Sequence, residues 1–246
     1  MPRPGELTYF HNIGDAGRTH AIKKPFSDNG TPIYLMDMGL INSLFPPPPA
    51  KVLECGCGTG WLSYFLSQKG YNVVGQDCSS DAIKLAEENP VFLHNEGTIS
   101  FICCDFESLH YENEFDAVLF YASLHHSEDE KKAIECAYRA LKKNGVCLAF
   151  EPGIGHKKHS RDIIERYDVG DRDMPPYLIA RRGKAAGFRN IRFFVHSAYL
   201  LSTIYQRPSP IRARRLIFSL PGVKLLVFLF LHLFYRRYSG IVLMKK

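Results

Sequence analysis

The chain has 246 residues, and its 46% hydrophobic content supports a sizeable core of the kind found in one α/β domain of about 200–250 residues. Its net charge of +6 conceals a split: all 25 acids lie at or before Asp173, so the first 173 residues carry −8 and the last 73 carry +14. Such a split points to an anionic partner (membrane surface, nucleic acid or phosphorylated substrate) or to a basic solvated face. Met1-Pro-Arg-Pro-Gly-Glu6 lacks the apolar core of a signal peptide, and the cysteine count of seven is odd. Together these predict reduced thiols and a cytoplasmic setting. Cys55 and Cys57 lie inside a glycine loop with no second cysteine pair at ligand spacing, so no metal site is expected from the sequence.

In chain order, residues 1–30 are polar, carry several glycines and read as a partly ordered arm. Thr31 to Phe45 has apolar positions at helical spacing, with Pro32 suited to a first turn. Pro46 to Pro49 is a stiff spacer. Val52 and Leu53 then form a short buried strand that runs into Gly56, Gly58 and Gly60. Glycine suits a backbone that must turn sharply and let a ligand approach without meeting a Cβ. Trp61 to Lys69 follows as a helix, so the loop offers a helix N-terminus with free N–H groups.

Further strands are expected at Tyr71–Asp77 and Ile99–Asp105, both ending in an acid, and at Phe115–Phe120, Gly145–Phe150 and Phe188–Val195. Helices are expected at 79–89, capped by Ser79 or Ser80, and at 127–143, closed by Asn144-Gly145. Two more are expected near Ser160–Tyr167 and over Tyr177–Ala186, the second ending at Gly187. Ser239 to Lys246 reads as the last strand. Short strands alternating with helical patterns imply a parallel sheet.

Glu54-x-Gly56-x-Gly58-x-Gly60 resembles the first motif of class I S-adenosylmethionine (SAM)-dependent methyltransferases, and the ordered acid-ended strands extend the resemblance over about residues 31–197. The spacing is not the Gly-x-Gly-x-x-Gly of dinucleotide sites, which counts against a nicotinamide enzyme. The resemblance implies an α/β fold: a Rossmann-like, doubly wound, seven-stranded sheet whose last strand is antiparallel and lies beside the fifth. It implies one domain over 1–246, with an arm and helix at 1–45. It also implies SAM as cofactor, held by Glu54, Gly56, Cys57, Gly58 and Gly60, with Asp77 and Cys78 at the ribose. Asp105 would bond the adenine and Phe106 would cover it, with Tyr121 a further cofactor contact after the fourth strand, near the acceptor.

About forty residues separate the last two strands, an apolar helical insertion over 198–238 in the place of a short connection. The run Leu225–Leu231 is too short for a bilayer span, which needs ~20 residues, and arginines flank it at 207–215 and at 236–237. This predicts a segment that dips into one leaflet of an anionic membrane, on its cytoplasmic face. The competing uses are a lid over the site or a homodimer interface. The apolar insertion, and the lack of a basic–aromatic sheet pattern, count against nucleic acid.

Ligands of open α/β sheets lie outside the carboxyl ends of the strands. His125 and His126, after the fourth strand, are therefore the expected catalytic bases for a hydroxyl acceptor, with Glu151 and His156 expected at the acceptor itself. Glu151-Pro-Gly-Ile-Gly-His156 resembles the equivalent segment of methyltransferases found with glycan assembly enzymes. The expected reaction is O-methylation of a glycan or lipid-linked saccharide. The alternatives are a C-methyltransferase of a quinone or other lipid, and a soluble small-molecule methyltransferase.

Overall fold

The structure is a computed structural model that describes residues 2–27, 29–89, 96–198 and 240–246, with isolated positions between 222 and 233. Seven strands form one sheet: β1 (Lys51–Cys55), β2 (Asn72–Asp77), β3 (Ile99–Cys103), β4 (Phe115–Tyr121), β5 (Leu141–Glu151), β6 (Arg189–Val195) and β7 (Gly240–Lys245). Their order is β3-β2-β1-β4-β5-β7-β6. The first five run parallel, and β7 is antiparallel to both neighbours, β5 and β6. This is the doubly wound sheet expected from the sequence, with its reversed last strand in the expected place.

The helices are α1 (Pro4–Asn12), α2 (Gly14–Ile22), α3 (Thr31–Leu44), α4 (Trp61–Gln68), α5 (Ser80–Glu87), α6 (Glu130–Ala140), α7 (His156–His159), α8 (Arg161–Tyr167) and α9 (Pro176–Ala186). Several start or stop where side-chain chemistry dictates. The Ser79 hydroxyl accepts from Ala82 N at the start of α5, and the Asp129 carboxylate accepts from Lys131 N and Lys132 N at the start of α6. Gly187, at φ 110°, ends α9. Apolar residues pack on both faces of the sheet. Leu53, Val118, Phe120 and Ile134 belong to one core, and Val52, Leu62, Leu119 and Phe150 to the other.

Two expectations are corrected. The polar arm is helical: α1 and α2 fold back over the carboxyl ends of the strands, with α1 against α5 and α8. Their apolar residues are few because they cover a cavity rather than the main core. The helix before β5 ends at Ala140, not at Asn144-Gly145. Asn144 does take a left-handed φ of 68°, but within β5, whose register against β4 shifts between Phe115 and Ala117. The insertion at 198–238 falls almost wholly outside the described residues. Those that are described between 222 and 233 are helical.

Candidate active site

Chain geometry makes the glycine loop. Gly56, Gly58 and Gly60 all have positive φ (74°, 53° and 74°), which only glycine adopts without strain. Each has a different neighbour. A Cβ on Gly56 would stand 2.4 Å from the Cβ of Ser123, and one on Gly60 would stand 2.8 Å from the Phe101 ring. On Gly58 it would meet only Phe10 Cζ, at 3.5 Å. Gly56 and Gly60 therefore permit close packing of the loop, while Gly58 lines a cavity with only Phe10 in ordinary contact above it.

That cavity measures about 510 Å³, within the ~300–1,000 Å³ usual for small-molecule sites. Glu54, Gly56, Cys57, Gly58, Asp77, Cys78, Asp105, Phe106, Tyr121 and His126 all line it. Gly60, His125, Glu151 and His156 do not. The cover over the loop, not legible in the sequence, comes from Glu6, Tyr9 and Phe10 of α1 and Ala21 of α2.

At the glycine-loop end the carboxylates are fixed by the backbone. Asp77 Oδ2 accepts from Gly58 N and its Oδ1 from Ser79 N, both at 2.9 Å. Burial nonetheless raises the Asp77 pKa, those two bonds offsetting it only in part. Asp105 caps the turn at Phe106–Ser108 by accepting from Glu107 N. Glu54 is 3% exposed and accepts a short hydrogen bond from Ser63 Oγ. Burial pushes its carboxyl up to about 8 despite that bond. Tyr121 stacks edge-on against Trp61 and donates to Asp37 Oδ2 at 2.7 Å. Ala122 follows at φ 50°, a strained value for a residue with a Cβ, and turns the chain from β4 toward the histidines.

The other end is polar. Glu151, at the end of β5, is fully buried and clamps the loop after β4. Its Oε1 accepts from Ser123 N (3.0 Å) and Leu124 N (2.8 Å), and its Oε2 meets His125 N (3.3 Å) and His125 Nδ1 (2.7 Å). Glu151 is thus a positioning group, not the acceptor contact expected from the sequence, because all its oxygens are spent on that loop. His125 Nε2 lies 3.1 Å from Asp171 Oδ1. Burial disfavours its charge, but the bonds to Asp171 and Glu151 outweigh this and raise the imidazole to about 9. With both nitrogens engaged, His125 is ill suited to accept a proton.

His126 faces the cavity. Its Nδ1 lies 3.1 Å from Glu6 Oε1, and its Nε2 lies 3.7 Å from Asp171 Oδ1. His156 Nε2 reaches the same Asp171 oxygen at 3.3 Å. Burial would raise the Asp171 carboxyl, but hydrogen bonds from His125 and His156 hold it well below the usual range. Asp171 and Glu6 come from segments with no readable motif, and only the folded chain reveals them. On the opposite wall, burial lowers the His196 imidazole, with Asp37 and Glu151 opposing the shift.

A glycine loop at the carboxyl end of β1, an acid ending β2, another two residues past β3, and an antiparallel β7 define a Rossmann-like methyltransferase fold, whose ligands lie at the carboxyl ends of the strands. The model of the family described as "Methyltransferase domain" matches residues 53–149. The match over residues 53–149 supports a class I SAM-dependent methyltransferase, with SAM as the methyl donor.

Among relatives, it is 32% identical over 128 residues to the malonyl-[acyl-carrier protein] O-methyltransferase of Priestia megaterium, covering 49% of this chain and 45% of that protein. It is also 32% identical over 97 residues to a ubiquinone biosynthesis O-methyltransferase of Idiomarina loihiensis, covering 39% of each. Among solved structures, phosphoethanolamine N-methyltransferase 2 of Haemonchus contortus with SAM superposes with a TM-score of 0.64 at 16% identity. That match covers 98% of this chain and 59% of that one, and at such identity it shows the fold alone. The chain spans less than two thirds of the curated relatives it matches.

Proposed function

We propose that the protein O-methylates a hydroxyl of a glycan or lipid-linked saccharide at a membrane surface. The observation that carries this reading is a single cavity joining the Gly58 loop at one end to His126 and Asp171 at the other. The residues present suit SAM. Gly58 leaves open the space that a Cβ would fill, and Glu54, Asp77 and Asp105 line the same wall as acceptors for an amine, a ribose and an adenine. When bound there, SAM supplies a methyl group already activated on a sulfonium. The protein's task is then to align the acceptor and exclude water. Tyr9 and Phe10 of α1 exclude it above the loop. The polar cluster around His126 receives the hydroxyl and draws off its proton.

The membrane part of the reading has its own support. The described residues Leu225, Leu226, Leu229, Phe230 and Leu233 recur at helical spacing and are 48–75% exposed. They make one apolar face in a segment flanked by arginines. Among the described residues no helix is long and apolar enough to cross a membrane; the contact we propose is peripheral, on the cytoplasmic face.

Labelled SAM offered separately to membrane lipid extracts and to aqueous extracts tests the acceptor. The expected result is a base-stable methyl ether in the lipid fraction. Label only in a quinone or a small soluble product would replace the saccharide reading. Flotation with anionic vesicles tests the membrane. The wild type should float, less so at high salt, and a variant with Leu226, Leu229 and Phe230 changed to Ser should stay behind. A wild type that ignores anionic vesicles would leave the insertion as a lid or a dimer contact.

A further inference from the structure

We propose that His125, His126 and Asp171 hold a divalent transition-metal ion of the zinc class, with an open coordination position facing the acceptor end of the cavity. The sequence offered no such site, because its reading rested on cysteine spacing and these ligands come from two distant segments. Folding brings one ligand atom from each residue within 4.8 Å of the others. The two His–Asp separations are 3.1 and 3.7 Å. Ligands about 2.0–2.1 Å from a tetrahedral zinc stand about 3.3 Å apart, so small side-chain shifts would complete the site.

The surroundings of these side chains are those of metal ligands. A ligating histidine usually gives its other ring N–H to a carboxylate, which fixes the tautomer and strengthens the ligand. Both histidines do so here. His125 Nδ1 meets Glu151 at 2.7 Å, and His126 Nδ1 meets Glu6 at 3.1 Å, so both Nε2 atoms turn toward one Asp171 oxygen. His156 Nε2 reaches the same oxygen at 3.3 Å and helps to orient that carboxylate. The contacts of this cluster include three carboxylates, Glu6, Glu151 and Asp171, an anionic surround that favours a divalent cation.

Two histidines and one carboxylate leave a coordination position open, the arrangement of a catalytic rather than a structural site. His126, Asp171 and Glu6 line the cavity, so that position faces the acceptor. The use of the ion rests on the O-methylation proposed above. A hydroxyl oxygen in the open position would be acidified, and its proton would leave to water in the cavity. His126 then acts as a ligand rather than as the base. Metal binding itself does not depend on that chemistry.

Equilibrium dialysis of the full chain against zinc chloride, followed by metal analysis, tests the proposal. Cobalt(II) chloride serves as a spectroscopic probe. The expected result is one ion per chain and visible cobalt bands of a nitrogen–oxygen site without thiolate absorption. His126→Gln and Asp171→Asn should each weaken binding by at least 100-fold, and Glu6→Gln by about 10–100-fold, as for an outer-shell carboxylate. Calorimetry with S-adenosylhomocysteine on the same variants confirms that each is folded. Failure to bind zinc by a wild type that binds S-adenosylhomocysteine overturns the metal site and leaves the methyltransferase reading intact. Zinc binding without S-adenosylhomocysteine binding does the reverse. Undiminished zinc binding in His126→Gln and Asp171→Asn, or thiolate bands with cobalt, would assign the ion to other residues.

Discussion

The two ends of the cavity are built differently. The glycine-loop end is local: Glu54, Gly56 and Gly58 are neighbours in sequence, Asp77 ends the next strand, and Asp105 follows the one after by two residues. The polar end is assembled at long range. His126 follows β4, Glu151 ends β5, Asp171 lies in the loop after α8, and Glu6 sits on α1. The backbone fixes the first end, through bonds such as Gly58 N to Asp77. At the second end side chains from distant segments hold one another and the loop after β4. The comparison suggests a division of labour in which the local end takes a common donor and the assembled end adapts to a particular acceptor.

Changes at each end should separate these roles. The largest effect is expected from His126→Ala, which should lower methyl transfer by ~10²–10⁴-fold, the scale of a lost proton-handling group, and leave S-adenosylhomocysteine affinity nearly unchanged. Parallel turnover and calorimetry check this, and an equal loss in both would erase the distinction between the ends. Next comes the pH dependence of donor-site binding. Burial raises Glu54 to about 8, so in the free protein this carboxyl is mostly protonated at pH 7. A cationic amine beside it favours the carboxylate, so binding releases a proton. Affinity should therefore fall up to tenfold per unit as pH drops below about 8, until the liganded carboxyl itself titrates. Calorimetry in two buffers of different ionisation enthalpy measures the proton, and Glu54→Gln should abolish both its release and the slope. The smallest effect is expected from Phe10→Ala. It opens the cover above Gly58 and should weaken S-adenosylhomocysteine binding roughly tenfold, the scale of one buried aromatic contact.

The same contrast explains what was legible in the sequence. Strands β1 to β5, the loop glycines and the acids at 54, 77 and 105 could be read because a hydrophobic run ending in an acid is a local signal. The antiparallel β7 followed from the family resemblance rather than from any pattern of its own. Glu6 and Asp171 could not be read, since nothing adjacent to them marks a site. Helices α1 and α2 were missed for a related reason. Their apolar residues are too few to show a helical period, because they face a cavity and solvent rather than the core. Glu151 and His125 were legible as residues of the site but not in their roles. Only the four contacts onto Glu151 show that it builds the loop, and only the two engaged nitrogens of His125 show that it is not free.

The central claim is that the open side of Gly58 is the donor site, and calorimetry of S-adenosylhomocysteine against wild type and Gly58→Val tests it most directly. A valine there must take φ 53° and project into the cavity. The backbone strain of ~1–3 kcal/mol lowers stability, while a similar overpacking cost in the ligand's space predicts an affinity loss of roughly 10–10²-fold. Tight binding by the wild type and its loss in the variant, with thermal unfolding still cooperative, is the predicted result. No binding by the wild type, or equal binding by both proteins, would contradict it.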